Sequence, residues 1–189
     1  MRVIWIALLV LFAPLAAFFG LWSIAVPVLH RRAISRLFLK PGMRVADVGC
    51  GPGFVTVPLA RRVGSEGEVV AYDVKPRMVS WTASRARKAG LANVRVVAAG
   101  AGEGKMERGY FDRAVLITVL GEMTDTRTAL AEIFRALKPG GILSITESRP
   151  DPHFHSQADV RRLAEAAGFK EHAHFGNSFA FTMNLVRPG

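Results

Sequence analysis

The residues best equipped for chemistry crowd into one stretch, Val45-Ala-Asp-Val-Gly-Cys-Gly-Pro-Gly53, which holds Asp47, Gly49, Cys50, Gly51 and Gly53. Glycines at alternate positions let a backbone pass close to a ligand with no Cβ in the way. A second acid, Asp73, stands twenty positions beyond Gly53. At the end of the next strand, such an acid can bind both hydroxyls of a ribose. The spacing discriminates among ligands. The dinucleotide fingerprint is G-x-G-x-x-G; here the third glycine comes one position early and Phe54 occupies the dinucleotide position. No lysine follows the loop as a phosphate-binding P-loop requires. Farther along, the Glu122 carboxylate can steer a cation, accept a proton, or simply open a helix. His153 and His155 titrate near neutrality and can serve as base or ligand, or stand as plain surface residues of a Pro-rich loop. His172 and His174 share one face of a predicted edge strand, but no metal site is expected. The lone Cys50 excludes a disulfide framework and any zinc site built on several cysteines.

The elements that must position these residues alternate in type. Strands are predicted at Met43–Val48, Glu68–Asp73, Val94–Ala98, Phe111–Thr118 and Ile142–Glu147, the fourth almost wholly apolar, as a buried parallel strand is. Helices are predicted at Phe54–Val63, at Pro76–Lys88 with proline in its first turn, from a cap at Thr124 or Asp125 to Leu137, and at Ser156–Ala167. Pro139-Gly140-Gly141 is read as the stop of the third of these helices. Two late strands, Phe169–Phe175 and Phe179–Val186, are joined by Gly176-Asn177-Ser178, short enough for a hairpin. The pattern implies an α/β fold: a doubly wound, Rossmann-like, mostly parallel seven-stranded sheet with an antiparallel last strand. That domain is placed at residues 41–189, after a membrane anchor at 1–30 and a basic juxtamembrane helix at 31–40.

Asp47-x-Gly49-x-Gly51-x-Gly53 resembles motif I of the class I S-adenosylmethionine-dependent methyltransferases. Tyr72-Asp73 resembles their acidic motif after strand two, and Phe111-Asp112-Arg-Ala-Val their fourth-strand motif. Leu137-Lys-Pro-Gly-Gly141 followed by Ile142-Leu-Ser-Ile resembles the motif before strand five. The text looks most like the ubiquinone and menaquinone biosynthesis branch. The resemblance implies S-adenosylmethionine as cofactor. It assigns the methionine end to Asp47 and the backbone at Gly49 and Gly51, with Cys50 and Gly53 in the same loop, the ribose to Asp73, and the adenine to Val74 and Met78. Gly100, Ala101 and Thr118 complete the implied cofactor set. Where the family often has Gly-Asp-Ala after strand three, this chain reads Ala99-Gly100-Ala101. The adenine amino group must then be met by backbone or by Glu103.

Residues Val3 to Leu29 carry no charged side chain, and about twenty apolar residues suffice to cross a bilayer. Trp5 and Trp22 lie near the two ends, Pro14 in the middle. A transmembrane helix is expected; a hairpin or interfacial helix broken at Pro14, or a cleaved signal peptide, are the alternatives. Arg2 precedes the run, while Arg31, Arg32, Arg36 and Lys40 follow it, which places the remainder of the chain on the cytoplasmic side. The same basic cluster can bind anionic head groups or serve only to set topology, and the formal charge of +10 suits an anionic membrane surface. No run of basic and aromatic residues resembles a nucleic-acid module. With no large insertion, the acceptor is expected to be covered by Ile34–Lys40 or by the membrane. The expected function is a single-pass, membrane-anchored methyltransferase acting on a lipophilic small molecule such as a quinone precursor or phospholipid. A tethered cofactor sensor and a methyltransferase of membrane-protein side chains are the alternatives.

Overall fold

The computed structural model describes residues 28–149 and 151–189. Most of the apolar run at 3–29 therefore lies outside the described residues. Among those described, no helix is long and apolar enough to cross a membrane. The chain divides into two compact units, 1–32 and 33–189, and the second contains the whole sheet. Residues 28–35 are helical (α1); this helix ends before the limit of 40 expected for the basic helix, and 36–40 are turn and irregular chain.

Seven strands form the sheet: β1 (Arg44–Val48), β2 (Glu68–Asp73), β3 (Val94–Ala98), β4 (Phe111–Ile117), β5 (Leu137–Ser148), β6 (Lys170–Gly176) and β7 (Ala180–Val186). Their spatial order is β3-β2-β1-β4-β5-β7-β6. The first five strands are parallel, and β7 runs antiparallel between β5 and β6, so the outer edge is β6. The strand order reverses between β1 and β4, and at this switch point ligands of doubly wound sheets bind. Helices α2 (Thr56–Val63) and α3 (Pro76–Lys88) pack together on one face, and α4 (Thr126–Ala136) and α5 (Gln157–Ala166) on the other.

Each face has its own core. Ile34, Leu37, Val45, Leu59, Val69 and Val115 make the α2 side. Leu116, Leu130, Ile133, Leu143, Val160 and Phe181 are among those of the α4–α5 side. Caps behave as their residue types dictate: Asp125 accepts from the Thr128 N–H to open α4, and Ser156 from the Asp159 N–H to open α5.

Three local expectations are corrected. Pro139-Gly140-Gly141 does not separate helix from strand, because β5 begins at Leu137, where pairing with Phe111 has already started, and runs through the tripeptide with a register shift. A bulge between Glu171 and Ala173 breaks the two-residue alternation of β6, so His172 and His174 do not share a face in the way regular pleating requires. Arg36, counted among the lipid-facing charges, is half-buried instead. It donates to Thr182 Oγ1 at 3.0 Å and lies 5.0 Å from the Phe175 ring centroid.

Candidate functional site

The glycine loop leaves β1 at the switch point and threads between the ends of β2 and β4. Gly49 and Cys50 both donate to the Tyr72 carbonyl, at 2.8 and 3.0 Å. Gly49 has φ +71°, and a Cβ there would sit 2.5 Å from the Val119 side chain, so only glycine fits. Gly51 donates to Asp73 Oδ2 at 2.9 Å, and Lys75 N–H donates to Asp73 Oδ1 at 2.8 Å. Two backbone donors thus hold the Asp73 carboxylate rigidly, and each oxygen keeps a lone pair for a further donor.

Beside this carboxylate opens a cavity of about 710 Å³. Of the residues expected to bind cofactor, Gly49, Gly51, Asp73, Val74, Met78, Gly100, Ala101 and Thr118 line it. So does Glu122. Gly100 is another close approach: a Cβ would meet Val74 Cγ1 at 2.8 Å. Its N–H donates to Glu103 Oε1 at 2.9 Å, which folds that acid onto the cavity wall in the stretch where the family aspartate is missing. Thr118 has φ +52°, unusual for a β-branched residue, and its N–H is tied to the Thr146 carbonyl at 2.8 Å. Across the cavity, Lys75 Nζ lies 3.5 Å from Glu122 Oε2 in an exposed ion pair.

Three expected cofactor residues do not line this cavity. Asp47 is buried behind the loop, its Oδ2 accepting from Thr56 Oγ1 at 2.6 Å. Burial pushes its carboxyl up to about 6, the Thr56 hydroxyl works against this, and the Asp73 charge adds to it. Cys50 is also buried; burial and the Asp47 charge push its thiol up to about 12, so it is no nucleophile at neutral pH. Gly53, at φ +81°, serves packing: a Cβ would meet Thr82 Oγ1 at 2.9 Å. The N–H groups of Gly49 and Gly51 are also both taken up inside the protein, so the loop is a close wall, not a nest of free donors.

His153 and His155 are not brought to the cavity. The His153 side chain is exposed, with Nδ1 3.7 Å from Asp151 Oδ1. Its main chain packs over Gly121, where a Cβ would strike the His153 carbonyl oxygen. His155 uses its N–H to donate to Glu147 Oε2 at 3.4 Å. The segment Ile34–Lys40 does not line the cavity either; Ile34 and Leu37 are core residues. Among the described residues no group of three metal-ligating side chains occurs.

Sequence reasoning missed two acids. Glu132 on α4 is buried and accepts from the N–H groups of Gly102 and Met106, the latter at 2.9 Å, which fixes the cavity-lining loop after β3. Its signal was an acid flanked by the apolar Leu130 and Ile133 on the buried face of α4. Glu147, at the end of β5, is 1% exposed, and its Oε1 has no hydrogen-bond partner. Burial pushes its carboxyl up to about 7.

Asp73 is free to accept hydroxyls from a ligand of this cavity, whose wall carries more acids than cations. Asp73, Glu103, Glu122 and Asp125 line it beside one lysine, Lys75, which pairs with Glu122, and Asp47 lies behind the loop. A pyrophosphate would be repelled; a cation carrying a ribose is favoured. Sulfonium nucleosides have that chemistry, and the glycine walls at 49 and 100 leave room for one.

Fold and site together define a doubly wound α/β domain with a glycine loop and a backbone-held acid, Asp73, at its switch point. A family model described as a methyltransferase domain matches residues 39–181, and the chain belongs to that family. Among curated proteins it is similar to the ubiquinone/menaquinone biosynthesis C-methyltransferase UbiE of Vibrio vulnificus, at 38% identity over 59% of this chain and 44% of the relative. The UbiE of a Marinomonas species is 35% identical over 83% of this chain and 64% of the relative. The chain thus spans roughly half to two thirds of the length of these relatives. Of solved structures, an S-adenosylmethionine-dependent methyltransferase from Aquifex aeolicus aligns with TM-score 0.76 and 26% identity over 82% of this chain and 88% of its own. The [4+2]-cyclase SpnF aligns with TM-score 0.73 and 28% identity, over 82% of this chain and 60% of its own.

Proposed function

We propose that this chain binds S-adenosylmethionine in the switch-point cavity and transfers its methyl group to a lipophilic small molecule, a quinone precursor before a phospholipid. The reading extends to location: residues 3–29 hold the enzyme to a membrane with the domain on the cytoplasmic side. The observation that carries it is the Asp73 carboxylate, fixed by Gly51 and Lys75 N–H groups at the edge of a cavity walled by side-chain-free glycines. The UbiE relatives support the quinone acceptor, and the apolar run supports the membrane.

The bound cofactor supplies an already activated methyl group, so the protein's work is orientation and exclusion of water. Asp73 accepts the ribose hydroxyls. Val74 and Met78 offer apolar surface to the adenine, whose amino group meets the loop at Gly100–Ala101 or the Glu103 carboxylate. The negative wall holds the cationic end. Thr118 and Val119 line the cavity at the end of β4, and Glu122 beside them is the carboxylate that would take up a proton from an acceptor that must lose one.

The test uses full-length protein in nanodiscs with methyl-labelled cofactor and membrane lipid extracts. Label in a quinone or lipid fraction is expected. Label only in protein or RNA overturns the lipophilic acceptor, and cofactor binding with no S-adenosylhomocysteine formed from any extract overturns methyl transfer.

A further inference from the structure

Away from the cavity, α2 and α3 form a surface of one sign. Arg61 and Arg62 on α2 and Arg77, Arg85, Arg87 and Lys88 on α3 are all exposed, and neither helix carries an acid. The other pair of helices differs: α4 and α5 mix arginines with Glu132, Asp159 and Glu165. Between α2 and α3 lies a groove of about 740 Å³ bordered by Phe54, Pro58, Arg61, Trp81, Arg85 and Lys88. Phe54 is 54% and Trp81 43% exposed, among the largest apolar exposures in the domain. Each ring carries a guanidinium: Arg85 lies 4.2 Å from the Phe54 centroid and Arg77 4.4 Å from that of Trp81. An aromatic–guanidinium rim with no acid is the composition that settles at an anionic headgroup layer, rings at the interface and charges on the phosphates.

We propose that the α2–α3 groove docks the domain on an anionic phospholipid surface. The idea rests on the membrane location proposed above and adds a second, charge-selective contact to it. Ile34 and Leu37, among the first residues of the domain, share a core cluster with Leu59 and Val63 of α2. The chain thus enters the domain against the same helix that borders the groove. Arg36, which turns inward to Thr182, does not supply that contact; α2 and α3 do. RNA is the less favoured polyanion, because stacking a base on Phe54 or Trp81 requires displacing the guanidinium already there. Docking also reaches the cofactor loop, since Arg85 Nε donates to the Pro52 carbonyl at 2.8 Å.

The experiment is hydrogen exchange on the full chain in nanodiscs of phosphatidylcholine alone or with phosphatidylglycerol. Exchange over 54–62 and 77–88 is expected to slow in anionic discs only. The docking equilibrium should weaken roughly fivefold for each basic residue removed, so Arg61→Ala with Lys88→Ala restores free exchange, as does about 0.5 M salt. Equal exchange in both discs, slowing that survives the double variant, or slowing by added RNA alone overturns the proposal. Calorimetric binding of S-adenosylhomocysteine in the same discs tests the cofactor separately. A chain that co-elutes with anionic but not neutral discs loses the anchor and keeps the docking; one that co-elutes with neither overturns both.

Discussion

The carboxyl ends of β1–β2 and of β4–β5 face each other across the switch point, and they are built to different standards. At the β1–β2 end the functional acid is over-determined. Asp73 is gripped by two backbone N–H groups, the loop that grips it is itself pinned to the Tyr72 carbonyl, and glycine is sterically required at position 49. At the β4–β5 end, Glu122 sits in an exposed ion pair, His153 is exposed, and Glu147 is buried with an oxygen left unpaired. A pre-organised site gains affinity because its ordering is already complete before the ligand arrives. The difference says that the β1–β2 end is committed to one ligand, whereas the β4–β5 end holds its polar groups loosely.

The largest effect that sharpens this contrast is Asp73→Ala. On the proposed reading it removes the acceptor of two hydroxyl bonds to a charged group, each worth about 1.5–3 kcal/mol, so affinity for S-adenosylhomocysteine should fall about 100-fold or more by calorimetry. Asp73→Asn should recover part of it. A loss under threefold in Asp73→Ala would show that the cavity binds by its apolar walls, and the contrast between the two ends would collapse.

The same contrast governs what could be read in advance. The loop, Asp73 and Pro76 at the start of α3 are local features: turn chemistry, a strand end and a helix first turn each leave a mark within a few residues. The mostly parallel sheet and its antiparallel last strand follow from the alternation of elements and a short hairpin; the insertion of β7 between β5 and β6 does not. What escaped is non-local. Gly53 looked like a ligand contact because its partner, Thr82, lies on another helix. Arg36 looked like a lipid-facing charge because Thr182 and Phe175 are far away in sequence. β5 ran through Pro-Gly-Gly because Leu137 had already found Phe111. Glu132 braces the loop after β3 across the helix–sheet interface, and no sequence window contains both. At the acceptor end the residue types were visible, but burial separated Glu147, which burial perturbs, from His153, which stays at the surface.

Glu147→Gln is expected to have the intermediate effect, and on stability. Its carboxyl is raised to about 7 in the folded state against 4.5 unfolded, chiefly by burial. The folded protein therefore holds this proton more tightly, and the group's contribution to stability is fully present below about 4.5 and lost as pH rises through 7. Chemical denaturation between pH 4.5 and 8 should show this decline, about 3 kcal/mol from this group, together with a share from Asp47, whose carboxyl burial also raises, and Glu147→Gln should remove the Glu147 share. A decline of the same size in wild type and Glu147→Gln would mean that the carboxylate is paired in solution, and the β4–β5 end would be as well satisfied as its counterpart.

The smallest expected effect belongs to His153→Ala. The imidazole is exposed and outside the cavity, and the His153 backbone and Cβ are what pack on Gly121. Removing the imidazole leaves that backbone contact and the Asp151 Oδ1 bond from the His153 N–H at 2.7 Å in place. Methyl transfer should therefore change less than twofold at every pH from 6 to 8. The informative failure is specific: a loss of ten-fold or more that appears in kcat and not in cofactor affinity, and that removes a pH dependence of kcat present in the wild type. That result would mean that the loop over Gly121 closes on the acceptor and carries His153 to it. The loosely held end of the sheet would then be the moving part of the enzyme, and its lack of pre-organisation the means by which it admits a bulky acceptor.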